Sequence, residues 1–206
     1  MMGSYFPIIQ SIIKDGAKVL DVGCGDGTLL EYLKEKKNVC GRGLEISMSD
    51  VRTAVSKGLS VVQGDANIDL NIYLDKSYDY VILSNTLQAM KNVKGVLENL
   101  VRIGKRTIVV IPNFAHYSAR CYLFFKGRMP VTKNMPYAWH DTPNIHFCAL
   151  ADFVDLCNEM GITIRKTIYL DRNGKIIKYN PLKNLFTMNA IYVLRKVPKT
   201  SQKTPS

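Results

Sequence analysis

The sequence predicts an α/β fold in which helices cover both faces of a mostly parallel sheet of about seven strands. Two observations carry this prediction. Strand-like and helix-like segments alternate along most of the 206 residues, as expected for a doubly wound, Rossmann-like sheet. The run Tyr78–Ser84 is also apolar almost throughout, which is typical of a strand that is covered on both faces.

The first half of the chain alternates helix and strand with short links. Helices are indicated where apolar residues recur three and four positions apart, and strands where they run together. Gly16 and Gly58 each end a helix, and the polar run Ser47–Asp50 caps the start of another. The predicted elements are the helix Tyr5–Lys14, the strand Lys18–Val22, the helix Thr28–Lys36, the strand Val39–Ile46, a helix ending at Lys57, the strand Leu59–Asp65 and the strand Tyr78–Ser84.

The second half continues the alternation after one interruption. A stripe of apolar residues predicts the helix Val93–Ile103, which Gly104 closes, and the following strand stops at Pro112. The last two strands are expected to form an antiparallel pair. The predicted elements that follow the helix Val93–Ile103 are the strand Thr107–Ile111, the helix Tyr117–Phe125, the helix Leu150–Met160, and the strands Ile162–Leu170 and Asn189–Arg195.

The domain organisation follows from the same pattern. We expect residues 1–196 to form a single domain, since no linker divides them. Residues 113–149 form an irregular insertion that is rich in aromatic and basic residues and holds three prolines and all three histidines. A loop of this length usually has a function. The polar, proline-bearing segment 197–206 is expected to be a disordered tail.

Composition and charge exclude several classes of protein. No apolar run approaches the ~20 residues of a membrane helix, and no secretory signal is evident, so a cytoplasmic protein without a membrane partner is expected. The five cysteines lack zinc-ligand spacing, which predicts no metal site and reduced, mostly buried thiols. The net charge of +11 is spread along the chain, which favours a solvated surface over a nucleic-acid partner.

A glycine-rich turn follows the first predicted strand. Asp21, Gly23, Gly25 and Gly27 form a D-x-G-x-G-x-G pattern, which differs from the G-x-G-x-x-G of dinucleotide-binding folds. Such a turn lets a ligand approach bare backbone at the carboxyl end of the sheet. The pattern predicts an adenosine that carries an amino-acid tail, namely S-adenosylmethionine. The alternative is that the turn is only a tight strand-to-helix connection.

Two acidic residues lie at the ends of the next two predicted strands. Glu45 follows the turn by about twenty residues, where a carboxylate can accept hydrogen bonds from ribose hydroxyls. Asp65 ends the third predicted strand, where it can accept from an adenine amino group. Since the carboxyl ends of parallel strands share one edge, we expect both residues to lie beside the glycine turn.

These motifs resemble those of class I S-adenosylmethionine-dependent methyltransferases, and within that fold they are similar to the MetW family of methionine-biosynthesis proteins. The resemblance covers residues 15 to 170. It rests on the turn, Glu45 and Asp65, and on the segments Tyr78–Ala89, Ile111–Phe114, Gly127–Lys133 and Trp139–His146. It implies the class I methyltransferase fold and S-adenosylmethionine or S-adenosylhomocysteine as cofactor.

By this resemblance, Asp21, Gly23 and Gly25 contact the methionine portion of the cofactor, Glu45 the ribose, and Asp65 and Ala66 the adenine. Asn85 replaces a glutamine that the family prefers, and Ser47 replaces a frequent acid. The expected cofactor-binding residues are Asp21, Gly23, Cys24, Gly25, Glu45, Ile46, Asp65, Ala66 and Ser84.

The resemblance also implies an accessory, regulatory role beside a homoserine O-acyltransferase. The chain has no G-x-S-x-G nucleophile elbow, so acyl transfer by the chain itself is not expected. The alternative is an active methyltransferase that acts on a small molecule. An aromatic loop that loses exchange protection when the partner is removed would favour the accessory role, and cofactor turnover that Asp21→Ala abolishes but loop mutations do not would favour the methyltransferase.

Candidate catalytic groups lie in the insertion. A general base is required only if a methyl acceptor carries a proton that must leave. The candidates are Tyr137, His140 and Asp141, with His116 and His146 as further histidines; each could instead be a surface or packing residue. The run Trp139–Asp141 could cover the cofactor pocket or anchor another protein, as could the nearby residues Arg120, Tyr122, Phe124, Phe125 and Arg128.

Overall fold

The computed structural model describes residues 2–132, 135–178 and 181–196. Its centre is a seven-stranded sheet formed by β1 (Lys18–Val22), β2 (Cys40–Glu45), β3 (Ser60–Gln63), β4 (Tyr78–Ser84), β5 (Gly104–Pro112), β6 (Ile162–Leu170) and β7 (Asn189–Lys196). The strands lie in the order β3-β2-β1-β4-β5-β7-β6. β7 runs antiparallel to β5 and β6, and the other pairings are parallel. The predicted sheet, with its antiparallel last pair, is confirmed.

Helices cover both faces of this sheet. In chain order they are α1 (Phe6–Ile12), α2 (Thr28–Lys37), α3 (Met48–Ser56), α4 (Val93–Ile103), α5 (Tyr117–Lys126), α6 (Leu150–Glu159) and α7 (Lys183–Phe186), with 3₁₀ turns at Met2–Tyr5, Asp69–Ile72 and Leu87–Ala89. Side chains of α1, α2 and α3 join one apolar cluster, and those of α4 and α6 join the other. Successive residues of β1 alternate between them, with Val19 in the first and Leu20 in the second.

The structure corrects some predicted boundaries. β5 begins at Gly104 rather than Thr107, because Gly104 is already extended (φ −87°, ψ 140°) and pairs with Tyr78 of β4. The helix therefore passes directly into the strand without a link. β3 spans only four residues, and Val61 is its one buried side chain, since the strand lies at the edge of the sheet.

The insertion at 113–149 contains α5 where a helix was predicted, and the described residues after it are irregular up to α6. The predicted disordered tail at 197–206 lies outside the described residues, and the assignment of 1–196 to one domain stays a prediction. In the part of the chain that the structure describes, no helix combines the length and apolar character needed to cross a bilayer.

The five cysteines are free thiols, but the expectation that they are mostly buried is wrong. Cys40 and Cys121 are exposed, Cys24 and Cys148 are partly buried, and Cys157 is buried. Cys121 is exposed because α5 buries only Ala119.

Candidate functional site

The carboxyl end of β1 leads into the glycine turn at the carboxyl edge of the sheet, where the sequence predicts a cofactor site that we call the crevice. The amides of Gly23 and Cys24 donate to the Leu44 carbonyl of β2, at 2.7 and 3.3 Å. Gly25 has φ +55°, and a Cβ there would enter open space. The backbone of the turn is thus held against β2 while Gly25 leaves room beside it, and the ligand-facing role of the turn stays a prediction.

Glu45 links this turn to the start of α3. Its Oε2 accepts from the Gly25 amide at 2.8 Å, and its Oε1 accepts from the amides of Ile46 and Ser47, each at 2.9 Å. The side chain is 8% exposed. A carboxylate has about four acceptor positions, so these backbone donors leave roughly one for a ligand hydroxyl.

Asp21 is the most deeply buried acid of the crevice, with 1% of its surface exposed. Its Oδ1 has no hydrogen-bond partner among the residues that the structure describes. Burial, and secondly the negative charge of Glu45, raises the pKa of Asp21 to about 8. The site therefore holds a carboxyl group whose charged form lacks a cation or donor, and such a partner would lower the pKa again.

Burial, together with the nearby charges of Asp21 and Glu45, also raises the pKa of Cys24 above its ordinary range. Cys24 therefore stays a neutral thiol. The sequence predicts it as a cofactor contact, and its small side chain fits beside Gly43 of β2.

The predicted adenine contacts lie just beyond the end of β3. Asp65 is partly buried, and its Oδ1 accepts from the amide and the side-chain nitrogen of Asn67, at 2.8 and 2.7 Å. Gly64, beside it, donates to the Glu45 carbonyl at 2.9 Å, so the segment is joined to the crevice wall. Ala66 is buried and the Ile46 side chain is 62% exposed.

Tyr5 is a crevice residue that the sequence reasoning missed. Its hydroxyl lies 2.6 Å from Ser84 Oγ at the end of β4, and Asn85 Nδ2 donates to it at 3.0 Å. Burial first, and more weakly the charge of Asp21, raise the pKa of Tyr5. Pro7 marks the true start of α1 and was the available signal, because it places Tyr5 before the helix rather than in it.

The Tyr5 contacts continue toward the insertion through Gln88. Gln88 Nε2 donates to the Asn85 carbonyl at 2.6 Å, while the Gln88 carbonyl accepts from the amides of Ile145 and His146. Asn85 takes a left-handed conformation, with φ +53°. A continuous set of hydrogen bonds thus joins the end of β4 to the loop that precedes α6.

The comparisons with known proteins show the family of this chain. The family profile described as "Methionine biosynthesis protein MetW" matches residues 4–194. The chain belongs to this MetW family. A bifunctional methionine biosynthesis protein MetXA/MetW from Rhodopirellula baltica is 33% identical over 172 residues, which are 79% of this chain and 28% of that protein. The match thus covers less than a third of that relative's length.

Solved structures with low sequence identity show the same fold. An S-adenosylmethionine-dependent methyltransferase from Thermotoga maritima has a TM-score of 0.70 at 18% identity, over 95% of this chain and 89% of that one. One from Archaeoglobus fulgidus has a TM-score of 0.66 at 16% identity, over 93% and 94%. The MetW-family chain thus has the class I methyltransferase fold.

The candidate catalytic residues of the insertion lie in different surroundings. Tyr137, His140 and Asp141 are exposed, and within the described ranges none makes a side-chain hydrogen bond or ion pair. His116 is buried and caps α5, where its Nδ1 accepts from the Ser118 amide. Burial, then the charge of Arg172, lowers the pKa of His116. His146 lines a cavity described below.

Part of the insertion exposes large aromatic side chains. Phe124 is 83% exposed and Phe125 is 76% exposed, and their rings meet edge to face with centroids 5.0 Å apart. Trp139 is 74% exposed and lies edge to face with His140. We call Phe124 and Phe125, whose rings are in contact, the aromatic surface. Exposed apolar groups of this size are typical of interaction sites.

Proposed function

We propose that this MetW-family chain binds S-adenosylmethionine in the crevice and acts as an accessory, regulatory partner of a homoserine O-acyltransferase. The observation that carries the proposal is the Rhodopirellula relative, whose name joins MetXA and MetW in one protein. Two activities that are fused in one organism often act together as separate chains in another. Cytoplasmic location remains a prediction.

The residues of the crevice fit this cofactor. S-adenosylmethionine carries an ammonium group, and the unpartnered buried Oδ1 of Asp21 is an acceptor that such a cation would satisfy. Gly25 leaves the backbone open beside it, and Glu45 keeps acceptor capacity for a ribose hydroxyl. When bound, the cofactor supplies an electrophilic methyl group. The expected remaining contacts are Gly23, Cys24, Ile46, Asp65, Ala66 and Ser84.

A route for regulation is available within the described contacts. Ser84, Tyr5, Asn85 and Gln88 are joined by hydrogen bonds, and the Gln88 carbonyl holds the amides of Ile145 and His146. A ligand that changes the position of Tyr5 would alter the loop before α6. Cofactor could then regulate the partner only if it binds one state better than the other.

The aromatic surface supports docking of the partner. Its two exposed Phe side chains are of a residue type enriched at interfaces, and Arg120 and Arg128 are exposed close to them in the chain. The connection between β3 and β4 offers a matched comparison, because Ile72 and Leu74 are also more than 75% exposed there.

The test is retention of this chain on the immobilised homoserine O-acyltransferase of the same organism, with and without saturating S-adenosylmethionine. We expect binding that changes with cofactor, and a loss of at least about tenfold in affinity for Phe124→Asp/Phe125→Asp. The control Ile72→Asp/Leu74→Asp should bind as the unaltered chain does. The same affinity with and without cofactor, or no binding, contradicts the proposal.

Methyl transfer to a small molecule is the second candidate, and one cavity favours it. A cavity of about 420 Å³, within the usual size range of ligand sites, is lined by Leu87, Gln88, Phe153, Leu156 and His146. It adjoins the Asn85–Gln88 turn at the end of β4. If an acceptor there carries a proton, the exposed imidazole of His146 is available to take it.

Transfer of labelled methyl groups from S-adenosylmethionine to small molecules of a cell extract tests this second function. Leu156→Trp, which fills the cavity, should abolish transfer while cofactor binding and partner retention persist, and Leu156→Met should keep transfer. Methyl transfer that persists in Leu156→Trp would show that the reaction does not use this cavity.

A further inference from the structure

The amino-terminal end of the sheet carries a second cleft, at the opposite end from the crevice. Two adjoining hollows of about 540 and 360 Å³ lie there, and both have Arg106 of β5 and Arg195 of β7 in their walls. The turn before β1 and the start of β4 line the first hollow, and β6 lines the second. We call the two hollows together the basic cleft.

The basic cleft has a formal excess of four positive charges. Each of its two carboxylates forms an ion pair: Asp15 pairs with Lys37 at 2.7 Å, and Asp79 pairs with Lys105 at 2.8 Å. Its six cations are Lys14, Lys105, Arg106, Arg165, Lys166 and Arg195. Apart from Lys105, none of them has an ion-pair partner in residues 2–132, 135–178 and 181–196.

The strand register brings two of these cations together. Thr107 pairs with Leu194 in the antiparallel ladder, so Arg106 and Arg195 occupy the next register position on neighbouring strands. Like charges directly opposite each other destabilise a sheet, and an anion between them would remove that cost. Arg106 also lies over the Tyr80 ring, 6.0 Å from its centroid, which restricts the guanidinium.

We propose that the basic cleft binds a small ligand that carries two or more linked phosphate groups. Three of its cations are arginines, whose planar guanidinium matches phosphate oxygens in pairs. A cleft lined by one sign of charge also concentrates anions. Each hollow has the volume of a small-ligand site, whereas a nucleic acid would be held along an extended stripe. This proposal is independent of the cofactor and of the acyltransferase.

The experiment measures binding of inorganic triphosphate and of ATP to the full chain, by calorimetry and by amide chemical shifts. We expect saturable binding that weakens with added salt, with shifts confined to the amino-terminal end of the sheet, near Gly16, Lys105 and Arg195. Equal affinity for the two probes indicates recognition of the phosphates alone. Tighter binding of ATP indicates a nucleotide, and both results support the proposal.

Matched variants distinguish binding in the basic cleft from attraction to the overall positive charge of the protein. Arg106→Gln/Arg195→Gln should weaken triphosphate binding at least about tenfold, since it removes charge-assisted hydrogen bonds from two guanidinium groups to phosphate oxygens. The control Lys36→Gln/Arg52→Gln removes the same charge from exposed positions of α2 and α3. Lys14→Gln/Lys166→Gln provides a second cleft variant that keeps Arg106 and Arg195 in place.

Three results would overturn the proposal. An equal loss of triphosphate affinity in the cleft and control variants would show that binding depends only on the net charge of the protein. Single-stranded RNA that displaces triphosphate and binds more tightly with length would make the surface a nucleic-acid site. Amide chemical-shift changes at the crevice, rather than at the amino-terminal end of the sheet, would show that the phosphates bind outside the basic cleft.

Discussion

Acidic side chains at the two ends of the sheet are stabilised in different ways. At the carboxyl ends, Asp21 and Glu45 are buried, and Glu45 accepts from three backbone amides. At the amino ends, Asp15 and Asp79 are more exposed and pair with lysines. The carboxyl end therefore relies on backbone amides, whereas the amino end relies mainly on lysine side chains, with one backbone amide, that of Lys18, donating to Asp79 at 3.0 Å.

The direction of the chain explains this difference. The carboxyl end of a parallel strand leads into the start of a helix, where unpaired amides point outward and favour negative charge. The amino end follows the end of a helix, where carbonyl groups favour cations such as Lys105 after α4. Helix ends do not account for Arg165 and Lys166, which lie within β6. Asp21 is the group for which neither mechanism supplies a partner.

The largest effect is expected for Asp21→Ala on the affinity for S-adenosylmethionine. Removal of the only buried carboxylate oxygen proposed to face the ammonium group should weaken binding about 100-fold, since a charged hydrogen bond is worth roughly 1.5–3 kcal/mol. Calorimetric titration measures it. The control Asp26→Ala lies in the same turn but pairs with Lys57. Similar losses for both variants would show that the turn as a whole, not Asp21, determines binding.

Asp21→Asn should stabilise the protein without cofactor at pH 8, by about 1–3 kcal/mol. The pKa of Asp21 rises from 3.8 when unfolded to about 8 when folded. Between these values the folded state holds a proton that the unfolded state has lost, so the free energy of unfolding falls as the pH rises. Asparagine does not ionise, so the free energy of unfolding of the variant does not fall with pH for this reason.

Denaturant unfolding at pH 5 and pH 8 checks this prediction. The difference in stability between Asp21→Asn and the unaltered chain should increase from the lower to the higher pH. A difference that is independent of pH would show that Asp21 ionises normally in the fold.

Glu45→Gln should destabilise the protein by about 1–2 kcal/mol at neutral pH. Gln has one acceptor oxygen, so its NH₂ group must face either the Gly25 amide or the amides of Ile46 and Ser47. Thermal and denaturant unfolding measure the cost. Glu31→Gln on the exposed surface of α2 is the control, and an equal cost for both would contradict a special role for the backbone contacts.

The sequence predicted those parts of the fold and crevice that depend on neighbouring residues. Apolar runs located the strands, and the turn and Glu45 are close to β1 and β2 in the chain as well as in space. The contact of Tyr5 with Ser84 joins residues 79 positions apart, which no local pattern encodes. The even spread of positive charge along the sequence was misleading for the same reason, because it predicted only a solvated surface. The cations of the basic cleft are dispersed between Lys14 and Arg195, and only the strand order brings them together.

The smallest effect is expected for Asp79→Asn, which should cost less than about 1 kcal/mol at neutral pH, because exposed ion pairs contribute little. Hydrogen bonds from Lys105 and from the Lys18 amide lower the pKa of Asp79 below its usual value. Its contribution is therefore present above the unfolded pKa of 3.8 and is lost as the pH falls, the opposite of Asp21. Denaturant unfolding at low and high salt measures it, and added salt should reduce the cost further. A cost larger than that of Glu45→Gln would mean that the side-chain pairs of the amino end are as rigid as the backbone contacts of the carboxyl end.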